Sequence, residues 1–522
     1  MQGRVGESEY PAAAAIPRWL LLVLLGLTLA RLALAAVTPL TEDEAYYRLW
    51  AMSPQFGYYD HPPMIAWWIR AGRTLAGDDA LGVRLLPVLS CGLTSLLTFD
   101  LARRLGASSE AAARAAVWFN ATLLIGVGGF LATPDAATAP FWTLSLWCLA
   151  RTARSAGWWL AAGAAAGLSC ISKYSGLFLL PGVLLWLLTR PGGIKILRGP
   201  WPWLAALAAG LIFSTNVVWN ATHHWAAFER QFGRVAPGRL APNYLIELIA
   251  GQLLLLNPAI AWFAVRGLKP AWGDRKPDPA APGLHLLVAA SAPFAAYLVL
   301  HSLHDRVQAH WPAPLYPSLA IIAAVAAERG SVKGGSVWPR RIAAPLGLGL
   351  SALVLLHLAI PASDIKGLRD PTAQLRGWPA FAADIEAKRQ AEHAGWIGTW
   401  SYGTAAQLAA QAALHAPVAE LVERDRYPPG EASWRADMTQ PGIVVDLARR
   451  LNPTALGLCF ANVEPAGEVI RGAPGDDPTA YAAYSVLGPR GDVLHQGCPP
   501  PRPPPNARPN GWLTIPGPSQ SG

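Results

Sequence analysis

Long apolar blocks alternate with short polar connections over the first two thirds of the chain. Blocks of about 17–23 residues are long enough to carry a helix across a bilayer. About eleven can be marked on the ~20-residue criterion. They fall near 18–37, 81–101, 112–130, 136–153, 157–172, 174–190, 203–219, 244–266, 283–301, 312–327 and 341–360. Only Ser172 and Lys173 separate the fifth block from the sixth. Beyond 361 the blocks stop, charge becomes ordinary, and strand-like runs such as GIVV at 442–445 enter. The pattern predicts a mainly α, polytopic membrane domain over 17–361 and a small α/β domain over 362–498. Residues 1–16 and the Pro-rich tail 499–522 read as disordered.

Composition supports this division. The 522 residues are 52% hydrophobic and only 14% charged, against roughly a quarter charged in soluble domains. The net charge of +9 could point to nucleic acid. The basic residues, however, sit between apolar blocks, which is a topology signal. Arg4 and Arg18, Arg103 and Arg104, Arg151 and Arg154, Arg190 to Arg198, Arg266 to Lys276, and Arg329 to Arg341 all fall on one side, which is then the cytoplasm. The opposite side receives 41–70, 133–135, Lys173, 220–243, 301–311 and, with an odd span count, the second domain. The first block also admits a second reading, a signal peptide cleaved near Ala33-Leu34-Ala35; its apolar run is long for one. Either reading leaves 41–70 outside.

Of five cysteines, Cys91, Cys148 and Cys170 lie in spans as packing residues. Cys459 and Cys498 lie in the second domain, where an oxidising compartment permits a disulfide.

The chemistry concentrates in TEDEAYYRLWAMSPQFGYYDHPPMIAWWIR, residues 41–70. Carboxylates beside a membrane span are costly unless hydrated or used. Thr41 and Glu44 fit a capping box at the start of a helix running from Glu42 to about Ser53. That helix puts Asp43, Tyr46, Tyr47 and Trp50 on one face. Asp43 then either favours the helix dipole or acts as a general base at the water boundary; Glu44 is a second catalytic candidate. Asp60 is an expected N-cap of the next helix, and His61 a partner for Asp43, a metal ligand or an interface residue. Thr133-Pro134-Asp135 reads as another helix start. Lys173 and Tyr174, between two apolar blocks, suit an ion pair with Asp135 or a phosphate contact. His224, Trp225, Arg230 and Arg234 interleave rings with cations, as a sugar platform with phosphate clamps or an interfacial amphipathic segment would. Arg306 and His310 lie in a further polar outer loop. The outer cations Arg48, Arg70, Lys173, Arg230, Arg234, Arg239 and Arg306 either snorkel to headgroups or share one anion site.

In order and placement, DEAYYRLW, GYYDHPP, TPDA, SKYSG, WNATHHWAAFERQFGR and HWP resemble bacterial GT-C glycosyltransferases of the PMT_2 group, over roughly 15–320. That group includes protein O-mannosyltransferases, lipid A aminoarabinose transferases and Rgt-type galacturonosyltransferases. The resemblance implies a GT-C fold, an extracytoplasmic active site at the bacterial inner membrane, and a polyprenyl-phosphate sugar donor. It also implies an acidic base that maps to Asp43 and a phosphate-holding lysine that maps to Lys173. Some members carry a lysine where this chain has His61. The acceptor implied is a glycan, lipid or protein. No nucleotide is required, in keeping with the lack of a P-loop or dinucleotide glycine motif. Neither CxxC nor HExxH metal spacing occurs, and no resident metal is expected. A divalent cation would have Asp43, Asp60 and His61 in reach. The alternatives are a lipid-linked sugar flippase, a polysaccharide polymerase or ligase, and a non-catalytic scaffold.

Overall fold

A computed structural model describes residues 15–233, 240–275, 283–332, 337–360, 370–427, 435–472 and 478–498. The chain divides into two compact units. One comprises Met1–Arg376 with Asp425–Pro428; the other comprises Gly377–Arg424 and Pro429–Gly522. The boundary expected at 361, the N-terminal tail to 14 and the Pro-rich tail lie outside the described residues.

The first unit is helical throughout. In chain order it contains α1 (Arg18–Val37), α2 (Glu42–Met52), α3 (Met64–Ala76), α4 (Ala80–Arg104), α5 (Ser109–Asn120), α6 (Leu123–Gly128), α7 (Pro134–Leu149), α8 (Trp158–Cys170) and α9 (Leu179–Thr189). There follow α10 (Gly193–Leu197), α11 (Trp201–Thr222), α12 (Ala226–Phe232), α13 (Asn243–Leu255), α14 (Pro258–Gly273), α15 (His285–His301), α16 (Tyr316–Val332) and α17 (Trp338–Ala359). Side-chain caps begin several of them. Asp79 accepts the Gly82 amide before α4, and Thr133 the Ala136 amide before α7.

The count of eleven full-length spans is not reached among the described residues. By length and composition, α1, α4, α11 and α17 can cross a membrane, and α13 with α14 adds a fifth if the pair is one span. The expected block at 244–266 is that pair, bent by 110°. Asn257 makes the bend with φ +71°; its Oδ1 accepts the Ala259 amide at 3.1 Å and its Nδ2 donates to Ala343 O at 2.7 Å. The block at 112–130 breaks likewise between α5 and α6. There Arg31 of α1, 4% exposed, donates to Asn120 Oδ1 at 2.7 Å and to Ile125 O at 3.1 Å. Apolar composition predicts burial in lipid or protein, but breaks of this kind depend on distant polar groups that take over the freed backbone. Small residues let α8 and α11 approach closely. A Cβ on Gly163 would lie 2.1 Å from Ala205 O.

The second unit is the expected mixed α/β body. Its strands are β1 (Trp396–Thr399), β2 (Val418–Glu420), β3 (Gly442–Leu447), β4 (Phe460–Arg471) and β5 (Thr479–Pro489), ordered β2-β1-β3-β5-β4. The first three are parallel, and β3-β5-β4 antiparallel. The GIVV run is the buried heart of β3. Cys459 and Cys498 form a disulfide with their Cα atoms 5.6 Å apart.

Candidate active site

The capping box forms as expected. Glu44 N–H donates to Thr41 Oγ1 at 3.2 Å, and Thr41 N–H to Glu44 Oε2 at 3.0 Å. Glu44 also receives Arg84 Nε on Oε1 at 2.8 Å, Arg84 Nη2 on Oε2 at 2.6 Å and Ala132 N–H on Oε1 at 2.8 Å. Arg84 donates further to Thr38 O at 2.7 Å and Pro39 O at 2.8 Å. Burial alone would push the Glu44 carboxyl up. Arg84 and the backbone amides outweigh it and hold the group below its ordinary range. One buried ion pair therefore joins the end of α1, the start of α2, the first turns of α4 and the turn before α7. Asp43, one residue before Glu44, is exposed.

The aromatic face of α2 packs inward. Tyr46, Tyr47 and Trp50 are buried, and Trp50 stacks on Tyr58 at 4.5 Å with 4° between the planes. His61 lies against this face, its ring 6.1 Å from Tyr47 and 6.5 Å from Trp50.

Asp60 is not the expected N-cap. Helix α3 starts later, with Pro63 in the cap position, and the Met64 amide donates to Ile171 O at 3.1 Å. Asp60 instead faces cations. Arg426 Nη1 donates to its Oδ2, and Arg230 Nε stands 3.6 Å from its Oδ1. The Tyr46 hydroxyl donates to Asp60 Oδ2 at 3.1 Å. Burial and the Asp60 charge together push the Tyr46 phenol well above its ordinary range. The Tyr59 ring has both guanidiniums near it, Arg230 at 5.6 Å and Arg426 at 5.3 Å from its centroid.

A second cluster forms around Asp135. Lys173 Nζ donates to Oδ1 at 2.8 Å and Oδ2 at 2.7 Å, His310 Nε2 lies 3.5 Å from Oδ2, and Lys173 sits 5.8 Å from the Trp311 ring. This is the ion-pair alternative for Lys173. Met64, Ala137 and Ile171, each within four residues of Asp60, Asp135 or Lys173 in sequence, pack together as an apolar patch. Tyr174, next to Lys173, meets Phe228 and Phe232 of α12, the helix that carries Arg230. The Tyr174 hydroxyl donates to Asn216 Oδ1 at 3.1 Å.

Among the described residues, the outer cations do not gather at one anion site. Arg48 forks onto Asp78 at 2.8 and 2.7 Å, Arg70 donates to Ala51 O at 3.3 Å, and Arg306 pairs with Glu247 at 2.9 Å. His224 and Trp225 occupy left-handed backbone with φ +55° and +58° on an exposed turn. No contact among the described residues brings either one into the two clusters. Arg234 and Arg239 lie outside the described residues. Among the described residues no three His, Cys, Asp or Glu side chains gather as a metal-ligand set.

The family described as dolichyl-phosphate-mannose-protein mannosyltransferase, PMT_2, matches residues 60–219. The chain is 27% identical over 367 residues to the lipid A galacturonosyltransferase RgtD of Rhizobium johnstonii, covering 67% of this chain and 72% of that relative. It is 28% identical over 254 residues to an undecaprenyl phosphate-alpha-4-amino-4-deoxy-L-arabinose arabinosyl transferase of Pseudomonas fluorescens, over 44% of each. The fold matches ArnT from Cupriavidus metallidurans bound to undecaprenyl phosphate, with a TM-score of 0.62 at 15% identity over 89% of this chain and 97% of that one. The chain resembles the GT-C glycosyltransferases of the PMT_2 group. The PMT_2 match begins at Asp60 and takes in Asp135 and Lys173, so both acid–cation clusters of this chain draw on it.

Two residues that pair with the acids of this region escape a linear reading. Arg84 is a charge inside the second apolar block, and a charge within a span is itself a signal. Arg426 lies about 370 residues from Asp60, and nothing in its local sequence marks it.

Proposed function

We propose that this glycosyltransferase moves a sugar from a polyprenyl-phosphate donor to a hydroxyl of a cell-envelope acceptor, on the extracytoplasmic face and with inversion at the anomeric carbon. The observation that carries the reading is exposed Asp43 on a helix start held by buried Glu44, on the helix whose Tyr46 bonds to Asp60. Asp43 takes the proton of the acceptor hydroxyl as its oxygen bonds to the anomeric carbon. The bond from that carbon to the phosphate oxygen breaks, and its electron pair leaves on the polyprenyl phosphate. Cations stabilise that developing charge; Lys173 and Arg230 are the candidates, with His61, Tyr47 and His310 lining the approach. Glu44 holds the geometry through Arg84 and takes no proton.

The eleven-span topology and outward orientation belong to the same reading, supported by the sidedness of Lys and Arg. The Cys459–Cys498 disulfide supports an oxidising location for the second unit. The relative named for lipid A makes lipid A or core glycans the first acceptors to try.

The test is transfer of a labelled sugar from its polyprenyl phosphate by the purified full chain and by Asp43→Asn. A kcat loss of about 10²–10⁴-fold with an unchanged melting temperature is expected. Full activity in the variant rejects Asp43 as base. Lipid crossing the bilayer without sugar transfer by either protein replaces the enzyme with a transporter.

A further inference from the structure

Helices α4, α7 and α8 run between the candidate active site and a second polar edge. Helix α4 carries Arg84 near its start and Arg104 at its end, and its 25 residues span about 37 Å. Helix α7 starts beside Asp135 and ends at Leu149; α8 returns from Trp158 to Cys170, close to Lys173 in sequence. The far edge is therefore the opposite membrane boundary, and it holds Arg104, Arg151 and Arg154.

The Arg151 guanidinium lies between two indoles, 4.2 Å from the Trp147 ring and 4.1 Å from the Trp158 ring. The two rings meet edge to face at 5.3 Å. Arg104 faces the same Trp147 ring at 5.2 Å. Asp100 is already engaged: its Oδ2 accepts Arg104 Nε at 2.5 Å and Trp147 Nε1 at 2.6 Å. Arg104 and Arg154 are near enough to repel Arg151, and Asp100 to attract it. Among the described residues Arg151 has no hydrogen-bond acceptor for its buried Nε, while its two terminal nitrogens are not buried. Arg154 is exposed beside it.

Three guanidiniums against one engaged carboxylate leave an excess of positive charge. The indole faces offset part of the repulsion, but indole offers an N–H and no acceptor to the Arg151 donors. The helix dipole accounts for Arg104 in the last turn of α4, and it leaves those donors unused. A phospholipid phosphate supplies both the charge and the acceptors, in the fork geometry that guanidinium matches. At a membrane boundary such headgroups lie at the level where tryptophan rings anchor. Leu160, two residues beyond Trp158, is exposed and offers apolar surface to an acyl chain.

We propose that Arg151, flanked by Trp147 and Trp158 and assisted by Arg104 and Arg154, binds the phosphate of an anionic phospholipid in the leaflet opposite the candidate active site. The proposal rests on the membrane-spanning reading of these helices and on no step of the reaction.

Native mass spectrometry of the full chain in detergent, titrated with phosphatidylglycerol or phosphatidylcholine, compares wild type, R151Q, R154Q and R190Q. Melting temperatures are taken with and without each lipid. Arg190 is the control: it follows α9 on the same edge, 4.7 Å from the Trp186 ring. Wild type should hold one phosphatidylglycerol about tenfold more tightly than phosphatidylcholine and melt higher with it. R151Q should lose that preference and the thermal protection, with phosphatidylcholine binding unchanged. R154Q, at an exposed position, should lose about five-fold and decides the matter if R151Q does not fold. R190Q should stay within about two-fold of wild type. Equal binding of the two lipids by wild type overturns the proposal, as does unchanged affinity in R151Q, or in R154Q where R151Q does not fold. An equal loss in R190Q also overturns it, marking general attraction to a basic edge. Displacement of the bound lipid by millimolar glycerol phosphate makes the ligand a soluble phosphate and overturns the lipid assignment.

Discussion

Glu44 and Arg84 form a two-pronged ion pair at 2.8 and 2.6 Å, with side chains 0% and 1% exposed. The pair closes the space between the end of the first span and the helix that carries Asp43. Removing one partner leaves the other charged and buried, at about 3–5 kcal/mol. Arg84→Met and Glu44→Leu are each expected to lower the melting temperature in detergent strongly. The double variant should recover much of that loss, because no lone charge remains. Losses that simply add would show that the pair is not coupled.

Lys173 and Asp135 allow stability to be separated from activity. Lys173→Met strands a carboxylate whose side chain is 5% exposed, and it should lose both stability and transfer. Adding Asp135→Asn should restore the melting temperature without restoring transfer, since the cation proposed for the donor phosphate is still missing. Recovery of transfer in the double variant would remove Lys173 from the reaction.

The second unit has its own pH dependence. Glu420 is buried at the end of β2, and burial pushes its carboxyl from 4.5 to about 7 against the amides of Val422 and Glu423. The folded state thus prefers the protonated form. Its contribution is complete below pH 4.5 and is lost as pH rises through about 7. Melting of this unit in the full chain should fall by a few kcal/mol equivalent between pH 5 and pH 8. Glu420→Gln should flatten the profile; an unchanged slope in that variant assigns the effect to another group.

The Cys459–Cys498 bridge spans 39 residues of sequence. Closing such a loop restricts the unfolded chain by about 4 kcal/mol on the chain-entropy account. Cys459→Ser should lower the melting of the second unit and leave that of the first unit within error. Equal shifts in both units would refute the local effect.

Local chemistry made much of this protein legible in its sequence. Apolar blocks, sided basic residues, the Thr41–Glu44 capping box, the helix start at Thr133 and the strand character of GIVV each depend on neighbours within a few residues. Patterns of that range survive in a linear reading. Asp135 with Lys173 was also within reach, because a lysine beside a span needs an acid or a ligand.

Longer-range relationships were decided by the tertiary structure. Asp60 had the right type and place for an N-cap, yet Pro63 takes that position and Asp60 turns to Arg230 and Arg426. Glu44 looked like a cap and a catalytic candidate together; the distant Arg84 and Ala132 turned it into a buried junction. The block at 244–266 looked continuous, but Asn257 bends it where Ala343 O can accept its amide. Composition sets which residues must be buried. Which charges end up facing each other follows from packing between helices far apart in sequence, and no local pattern encodes it.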